Sequence, residues 1–399
     1  MRPVALAAVA LVCAVLGGSA ALALGHAGGW LGTSKTRTVV LTETVGATPA
    51  ADRGRVEPLL GNGFDPARIY ALRSPGVVTI ISVFASGDAA QGSGFVVSSD
   101  GTILTSSHVI TDAGLAPQEG APQAADRVFV EFADHDRVPA RVVGFDVFDD
   151  VGVLEVDPGQ HSLSPVPLGN SRGVRVGEPV AAIGSPFGNK NSLAVGVVSA
   201  VRRSIGSLTS AYDLPDAIQV DAPINHGNSG GPVFDGHGRV IGIAAQIRST
   251  SGNAEGVGFA VPIDAAKRSM RELTLTGRVA YAYLGVVTQD LTPSVAARLG
   301  LPVRQGALVD SVRTGTAAGN AGLRGGTREI TVNGQRVSVG GDTIVAVAGR
   351  PVTSSEDLLR IVTEDLRPGR AVTLTVVRAG RQRSVRVVPD ERPANPNAG

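Results

Sequence analysis

The stretch GSGFVVSSDGTILTSSHVI, residues 92–110, places two short apolar and β-branched runs on either side of Asp100-Gly101. Asp-Gly between two such runs is a strong signal for a β-hairpin. His108 follows the second run in a serine-rich corner, where a buried strand pair can hold an imidazole rigidly. The stretch therefore predicts two antiparallel strands that end at a histidine with a candidate functional role. A core or helix-cap histidine is the structural alternative.

Short runs of the same kind continue on both sides of this hairpin, from Val77 to the end of GVGFAVP at residue 262. Turn residues separate them at a spacing of roughly 8–12 residues, which is typical of an all-β barrel or sandwich. The segment 263–277 predicts a helix, because Asp264 lies near its start and Gly277 follows its end. We therefore predict a mainly β domain over residues 66–277.

A second unit follows, predicted over residues 281–390. Its strand runs lie at 284–288, 306–312, 343–348, 371–377 and 384–388, and its helices at 293–299 and 354–365. In REITVNGQRVSV (328–339), Asn333-Gly334 separates two alternating runs and predicts a further hairpin, because both central residues of that turn type need φ > 0. The unit is a small α+β domain, followed by a tail that we expect to be disordered over 391–399.

The N-terminal part has a different composition. Residues 4–25 contain no charge, and as a helix they would extend roughly 33 Å, enough to cross a bilayer. Arg2 before the run favours an N-terminus on the cytoplasmic side. We predict a membrane anchor within residues 1–30 and a flexible linker over 31–65. A cleaved signal peptide is the alternative, because Ala21-Leu22-Ala23 has the spacing of a cleavage site. Either interpretation places the rest of the chain outside the cytoplasm.

Composition excludes several classes of site. The 399-residue chain has a formal net charge of +1, so nothing indicates nucleic acid as a partner. Cys13, inside the apolar run, is the only cysteine. The folded domains therefore have no disulfide, no cysteine metal site and no cysteine nucleophile. We predict no metal and no cofactor.

The stretch INHGNSGGPV, residues 224–233, has two interpretations. It is an ordinary turn rich in turn-forming residues, or it is a tight loop whose backbone N–H groups point at an oxygen. A serine hydroxyl becomes a nucleophile when a base takes its proton, and histidine is the usual base. His108 is the preferred candidate over His226, which lies in the same loop as Ser229. The remaining histidines fit loops or the N-terminal segment: His26, His135, His161 and His237.

A catalytic triad also needs an acid that orients the imidazole. Asp150 begins the apolar run DVGVLEVD, and a carboxylate at the start of such a strand is either turn-forming or functional. Asp146 and Asp149 are its nearest competitors.

Three stretches, in chain order, resemble the HtrA/Deg family of trypsin-like serine proteases. They are GSGFVVSSDGTILTSSHVI, DDVGVLEVD (149–157) and QVDAPINHGNSGGPV (219–233), and EGVGFAVPID (255–264) resembles the end of that family's protease domain. The resemblance implies a chymotrypsin-like double β-barrel in which His108 is the general base, Asp150 the orienting acid and Ser229 the nucleophile. It also implies an oxyanion hole formed by the backbone of Gly227, Asn228 and Ser229.

The second unit resembles a bacterial PDZ domain over YLGVVTQDLTPSVAARLGLPVRQGALVDSV, residues 283–312. By this resemblance, the carboxylate-binding loop that would hold a peptide C-terminus is formed by Tyr283, Leu284, Gly285 and Val286. The fold class is then a chymotrypsin-like double β-barrel followed by a small α+β PDZ domain, preceded by the N-terminal helix.

The resemblance implies a serine endopeptidase of extracytoplasmic protein quality control that cleaves unfolded or misfolded polypeptides and is commonly trimeric. We expect a single-pass membrane protein, or a secreted or periplasmic one if the N-terminal segment is removed. The alternatives are a peptide-binding chaperone or adaptor with a latent protease, and a regulatory protease that cuts one membrane client. Pro223 stands six residues before Ser229, where trypsin-like enzymes that cleave after Arg or Lys have an acid. We therefore expect cleavage after small or medium aliphatic residues.

Overall fold

The computed structural model describes residues 63–114, 122–185, 191–224, 227–245 and 257–394. By their contacts, all of these residues fall within one compact unit. The predicted membrane segment and most of the predicted linker lie outside the described residues. Within the described ranges, no helix is long and apolar enough to cross a membrane.

The first six strands form a closed antiparallel barrel in the order β1-β2-β3-β6-β5-β4. Helix α1 precedes it, and Asp65, at its N-cap, accepts a hydrogen bond from the amide of Arg68. The short helix α2 follows β3. The elements are α1 (Pro66–Arg73), β1 (Val77–Val83), β2 (Ala89–Val96), β3 (Thr102–Thr105), α2 (Ser107–Ile110), β4 (Arg127–Glu131), β5 (Arg137–Asp146) and β6 (Val151–Val156).

A second closed barrel follows, in the order β10-β11-β12-β9-β8-β7. Its last strand continues into helix α3, which contacts strands of both barrels and ends at Gly277, where φ is +73°. The elements are β7 (Pro179–Gly184), β8 (Ser192–Gly206), β9 (Asp213–Val220), β10 (Pro232–Phe234), β11 (Val240–Ala245), β12 (Gly258–Pro262) and α3 (Ile263–Thr276). The double barrel and this helix are as predicted.

Each barrel has its own apolar interior, and a third apolar cluster lies between them. Val78 and Ile80 belong to the first interior, and Val180 and Val198 to the second. The cluster between the barrels includes Phe95, Leu104, Ile183, Phe234 and Ile243. Close packing of these side chains fixes the two barrels against each other. The loops at the junction therefore face one another in a fixed geometry.

The C-terminal domain is built on the sheet β14-β15-β18-β20-β21, with β14 at one edge and β19 paired with β18. The predicted hairpin at Asn333-Gly334 is confirmed, with φ of +50° and +81° at these residues. The elements are β13 (Ala282–Tyr283), β14 (Val286–Leu291), α4 (Pro293–Leu299), β15 (Gly306–Val312), α5 (Ala317–Asn320), β16 (Arg328–Val332), β17 (Gln335–Val339), β18 (Thr343–Val347), β19 (Arg350–Pro351), α6 (Ser355–Glu364), β20 (Val372–Arg378), β21 (Arg381–Val387) and β22 (Asp390–Glu391).

The chain between the C-terminal sheet and residue 395 differs from the prediction of a disordered tail from residue 391. Strand β22 pairs with β13, and Glu391 lies opposite Ala282. Arg392 is buried, because its guanidinium lies over the rings of Phe148, Tyr212 and Tyr281. The prediction was wrong here because a polar, proline-rich composition does not reveal a single arginine that packs against distant aromatic rings.

Candidate active site

The hairpin of β2 and β3 leads to His108 as predicted. Its turn needs glycine at residue 101, where φ is +103° and an added Cβ would lie 2.0 Å from the carbonyl oxygen of Val156. After β3, the chain forms α2, and His108 lies in its first turn. Val109 and Ile110, the next two residues, are buried in the first barrel. The imidazole is therefore held by a helix turn whose other side chains are anchored in the core.

Asp150 lies between β5 and β6 and meets the histidine directly. Its Oδ2 is 2.8 Å from His108 Nδ1, and its Oδ1 accepts hydrogen bonds from the His108 amide at 3.0 Å and from Ser107 Oγ at 2.8 Å. Its φ is +52°, a left-handed conformation that is uncommon for a residue other than glycine. Three atoms of two residues thus fix both oxygens of this carboxylate.

The buried pair shifts the pKa values of both groups. Burial alone lowers the pKa of His108, but the charge of Asp150 and the hydrogen bond to it outweigh burial, so the pKa is raised above 6.5. Burial alone raises the pKa of Asp150, but the charge and hydrogen bonds of His108 and Ser107 outweigh it, so the pKa is lowered. The carboxylate therefore stays ionised and favours protonation of the imidazole, as a general base requires.

Ser229 belongs to a tight loop of the second barrel that presses against the first. Gly230 has φ of +85°, and a Cβ there would lie 2.2 Å from the Ser93 carbonyl oxygen and 2.4 Å from Thr105 Oγ1. Ser93 also donates its amide to the Ser229 carbonyl at 2.8 Å and its hydroxyl to the Gly227 carbonyl at 2.6 Å. The loop therefore lies directly against the strands that lead to His108.

The serine hydroxyl has no hydrogen-bond partner among the described residues. Ser229 is buried, and its Oγ makes no hydrogen bond to His108 Nε2 or to any other described atom. The segments that carry the two side chains meet at the junction of the barrels, since a Cβ at Gly92 would touch both the Val109 side chain and the Ser229 carbonyl. Catalytic hydrogen bonds are often long or unformed before substrate binds, so this arrangement is compatible with a nucleophile at rest.

The predicted oxyanion residues, Gly227, Asn228 and Ser229 itself, are consecutive in this loop. Gly227 has φ of +93°. Within the described ranges, no acceptor pairs with the amide of Gly227 or of Ser229. The Asn228 side chain is buried and donates to the Pro223 carbonyl at 3.3 Å, while its Oδ1 is unpaired among the described atoms. These amides are the donors that the predicted oxyanion hole would use.

The competing acids and histidines have other partners. Asp149 accepts a hydrogen bond from Arg268 at 2.5 Å, and Asp146 accepts one from Ser269 at 2.7 Å. His161 stacks on Phe132 at a centroid distance of 3.7 Å. His226 lies outside the described residues. Of the three acids considered from sequence, the structure brings only Asp150 to His108.

Two residues that hold segments of the candidate site in place were not predicted from the sequence. Ser93 bridges the two barrels at the site, because its hydroxyl also accepts the Ser185 amide at 2.9 Å. The glycines on either side of Ser93 signal close approach of another chain segment, and that signal was available. Arg268 was also missed, and no local motif identifies it.

The predicted carboxylate-binding loop of the C-terminal domain connects β13 to β14. Gly285 has φ of +77°, and a Cβ there would meet the Thr316 side chain at 2.2 Å, so only glycine fits. The loop is pinned by its carbonyls, because those of Leu284 and Gly285 accept the amides of Ala318 and Arg313. The loop lines a groove between β14 and α6.

Comparison with known proteins agrees with this geometry. The family model "Trypsin-like peptidase domain" matches residues 92–243, and "PDZ domain" matches residues 282–388. A probable periplasmic serine endoprotease DegP-like of Pseudomonas fluorescens is 36% identical over 304 residues, which cover 75% of this chain and 57% of the relative. The chain thus spans a little over half the length of that relative.

Two further relatives are covered over most of their length. Protease Do-like 1, chloroplastic, of Arabidopsis thaliana is 35% identical over 337 residues, 82% of this chain and 72% of the relative. The solved structure of the HtrA-type protease AlgW with a tripeptide superimposes with a TM-score of 0.67 at 30% identity, covering 82% of this chain and 98% of that one. The barrels, the PDZ domain and these similarities lead to one conclusion: the chain belongs to the HtrA/Deg family of trypsin-like serine proteases with a C-terminal PDZ domain.

Proposed function

We propose that this protein is a serine endopeptidase in which His108 is the general base, Asp150 orients it and Ser229 is the nucleophile. The observation that carries the proposal is the buried His108–Asp150 pair at 2.8 Å, placed at the barrel junction that also holds the Ser229 loop. Each of the three side chains comes from a different segment of the chain.

The reaction follows from these positions. Ser229 Oγ attacks the carbonyl carbon of the scissile peptide, and His108 Nε2 takes the hydroxyl proton. The carbonyl oxygen becomes an oxyanion beside the amides of Gly227 and Ser229. His108 then gives the proton to the leaving amine, and the C–N bond breaks to leave an acyl-enzyme. Water then attacks the ester carbonyl while His108 takes its proton, and His108 returns this proton to Ser229 Oγ as the acyl C–O bond breaks, which releases the acid product and restores the serine.

Asp150 supports both halves of this cycle through its fixed oxygens. It holds the imidazole with Nδ1 as the donor, so Nε2 is free to accept the serine proton. It also stabilises the imidazolium that forms, because the negative charge lies 2.8 Å from Nδ1. A removed oxyanion donor typically costs about 3–4 kcal/mol of transition-state stabilisation, so the amides of Gly227 and Ser229 contribute on the same scale.

The substrates that we propose are unfolded or misfolded polypeptides outside the cytoplasm. Support comes from the DegP-like relatives, which carry the name periplasmic serine endoprotease. We expect cleavage after small or medium aliphatic residues, because Pro223 stands where an acid would select Arg or Lys. A homotrimer and an N-terminal membrane anchor belong to the same proposal, as expectations from the family and from the sequence.

The PDZ domain is proposed to bind peptide C-termini. Strand β14 is at the edge of its sheet, so an extended peptide can add to it as a further strand. Apolar side chains of Leu284, Leu358 and Val362 line the groove and favour an aliphatic last residue. The left-handed Gly285 turns the loop so that its amides can receive the carboxylate.

The test compares the wild-type protein with Ser229→Ala on an unfolded protein substrate. We expect kcat to fall by about 10⁴–10⁶-fold, because the triad acts as a unit. Ser86→Ala, at an exposed serine, is the control and should retain full activity. A serine-directed phosphonate should label the wild type on the peptide that contains Ser229. Turnover that survives in Ser229→Ala, or a label on another serine, would refute the assignment.

A peptide-binding chaperone with a latent protease is the second candidate. One observation favours it, the absence of a hydrogen bond between Ser229 Oγ and His108 among the described atoms. Strong retention of an unfolded client with negligible cleavage by the wild type would identify this function, whereas cleavage at the rate of a typical protease excludes it.

A further inference from the structure

A short segment between β5 and β6 delivers Asp150 to His108, and it is held by groups outside the proposed triad. Asp146 closes the segment on itself, because its Oδ1 accepts the amides of Phe148 at 3.0 Å and Asp149 at 3.4 Å. Asp149, next to Asp150, points away from His108 and is buried. The backbone at Asp150 is in the left-handed region, a strained state that persists only where the surroundings impose it.

Arg268 of helix α3 is the main partner of Asp149. Its Nη2 donates to Asp149 Oδ2 at 2.5 Å and to the Tyr281 hydroxyl at 2.9 Å, and its Nη1 donates to the carbonyl of Thr363 at 2.9 Å. The arginine is itself buried, with 9% of its surface exposed. Its planar group thus joins the segment before Asp150 to helix α6 of the PDZ domain.

The charges around this arginine explain why its removal matters. Two buried carboxylates, Asp146 and Asp149, lie in the same segment, and Tyr281 donates its hydroxyl to Asp146. Arg268 and Arg392 are the cations that face them. A buried carboxylate that loses its cation carries an uncompensated charge, which is expensive in a low-dielectric interior. Moving the segment toward water would relieve this cost, so the segment is expected to shift when Arg268 is removed.

We propose that Arg268 is a positioning residue for catalysis, acting on Asp150 through Asp149. By fixing the Asp149 carboxylate, it holds the adjoining peptide in the strained conformation in which both oxygens of Asp150 reach Ser107 and His108. The proposal rests on the triad assigned under the proposed function. Arg268 touches none of Ser107, His108 and Asp150, so its effect on the reaction is indirect.

The experiment compares Arg268→Met, Arg268→Lys and Arg271→Met in the full-length protein. Arg271 lies on the same helix but is exposed, so Arg271→Met is the matched control. On a short peptide substrate we expect kcat of Arg268→Met to fall about 10–100-fold, the scale of a small misplacement at a reacting group. KM should stay within twofold, because no substrate contact changes. Arg268→Lys should recover part of kcat, since it keeps the positive charge but loses the planar guanidinium with its several donors.

A double variant guards against simple unfolding. Arg268→Met with Asp149→Asn removes both charges, so thermal stability should return toward that of the wild type. The proposal requires kcat to remain low in this folded double variant, because nothing anchors residue 149. If kcat returns to the value of Arg271→Met, Arg268 has only a structural role and the proposal is overturned.

The pKa of His108, measured by NMR titration of its imidazole, reports on the same geometry without turnover. Its resonance is assigned by its loss in His108→Ala. Arg268→Met should have a lower His108 pKa than Arg271→Met, because Asp150 no longer holds its charge against the ring. Equal values overturn the proposal. If the wild type neither cleaves nor takes the phosphonate label, the proposed function fails, yet this titration still decides whether Arg268 positions Asp150.

Discussion

The two halves of the candidate site differ in how completely their polar groups are paired. In the half from the first barrel, the carboxylate of Asp150 makes three hydrogen bonds to Ser107 and His108. In the half from the second barrel, the hydroxyl of Ser229 and the Oδ1 of Asn228 are buried without a partner among the described atoms. The proposed base is therefore assembled in advance, while the proposed nucleophile has no partner to give up.

This difference indicates which half of the site is already ordered before substrate binds. A buried polar atom without a partner costs roughly 1–3 kcal/mol, and a catalytic role or a bound ligand is one explanation for its retention. In the proposed mechanism the substrate provides a partner, because its carbonyl oxygen would accept from the amides of Gly227 and Ser229. The first half should thus respond to changes in hydrogen bonding, and the second to changes in backbone shape.

The largest effect is expected in the paired half. Asp150→Asn keeps the shape but removes the charge and favours the wrong imidazole tautomer, so kcat should fall by about 10⁴-fold. The measurement is steady-state cleavage of a peptide substrate. Asp157→Asn, at an exposed acid beyond β6, should leave kcat unchanged. If Asp149→Asn proved as damaging as Asp150→Asn, the assignment of the orienting acid would need revision.

In the other half, Gly230→Ala tests backbone shape. The added methyl requires φ near +85° and would lie 2.2 Å from the Ser93 carbonyl oxygen. We expect kcat to fall about 10²-fold, because the Ser229 loop must shift, and the strain to lower the free energy of unfolding by about 1–3 kcal/mol. Activity and urea unfolding are measured together.

Gly236→Ala is the matched control for this change. A Cβ there meets its nearest atoms, in Phe64 and Pro179, at 3.7 and 3.8 Å, which is ordinary contact. Its activity and stability should equal those of the wild type. A normal kcat in Gly230→Ala would show that the loop tolerates displacement, and the contrast between the two halves would lose its basis.

How far the sequence predicts this site follows the same division. His108, Asp150 and the glycines around Ser229 lie in local motifs whose residue types carry their own chemistry, and the Asn333-Gly334 hairpin is likewise local. Strand spacing predicted a barrel or a sandwich, and the resemblance predicted the double barrel and the PDZ domain correctly.

Long-range partners were not predictable, for a physical reason. Arg268 and Asp149 are 119 residues apart, and their contact exists only because helix α3 packs across both barrels. Arg392 is buried by aromatic rings from three distant segments. Neither residue type nor spacing encodes such a contact. The lack of a hydrogen-bond partner for Ser229 Oγ was not predictable either, because it depends on interatomic distances that no sequence motif specifies.

A smaller and graded effect is expected from pH. His108 must be neutral to act as a base, and its pKa is raised by Asp150 above 6.5. Below that pKa, kcat/KM should fall about tenfold per pH unit, so the half-maximal point should lie above pH 6.5. In Asp150→Asn the raising cause is gone and burial still lowers the pKa, so the residual activity should reach half its maximum at lower pH. The pH–rate profiles of both proteins check this. If the acid limb lies at the same pH in both, Asp150 does not raise the pKa of His108.

The smallest effect is expected outside both halves, in the PDZ groove. Leu359 is partly exposed and lines the groove, so Leu359→Ala should weaken binding of a peptide with an aliphatic C-terminus by about tenfold, measured by calorimetry. Cleavage of a short substrate that does not engage the groove should be unchanged, because the His108–Asp150 pair and the Ser229 loop are untouched. Leu275→Ala, at a 75% exposed leucine of α3, should change neither quantity. If instead Leu359→Ala lowered cleavage of the short substrate while leaving peptide affinity intact, the groove would not be the peptide site. Helix α6 would then act on the His108–Asp150 pair through its contact with Arg268.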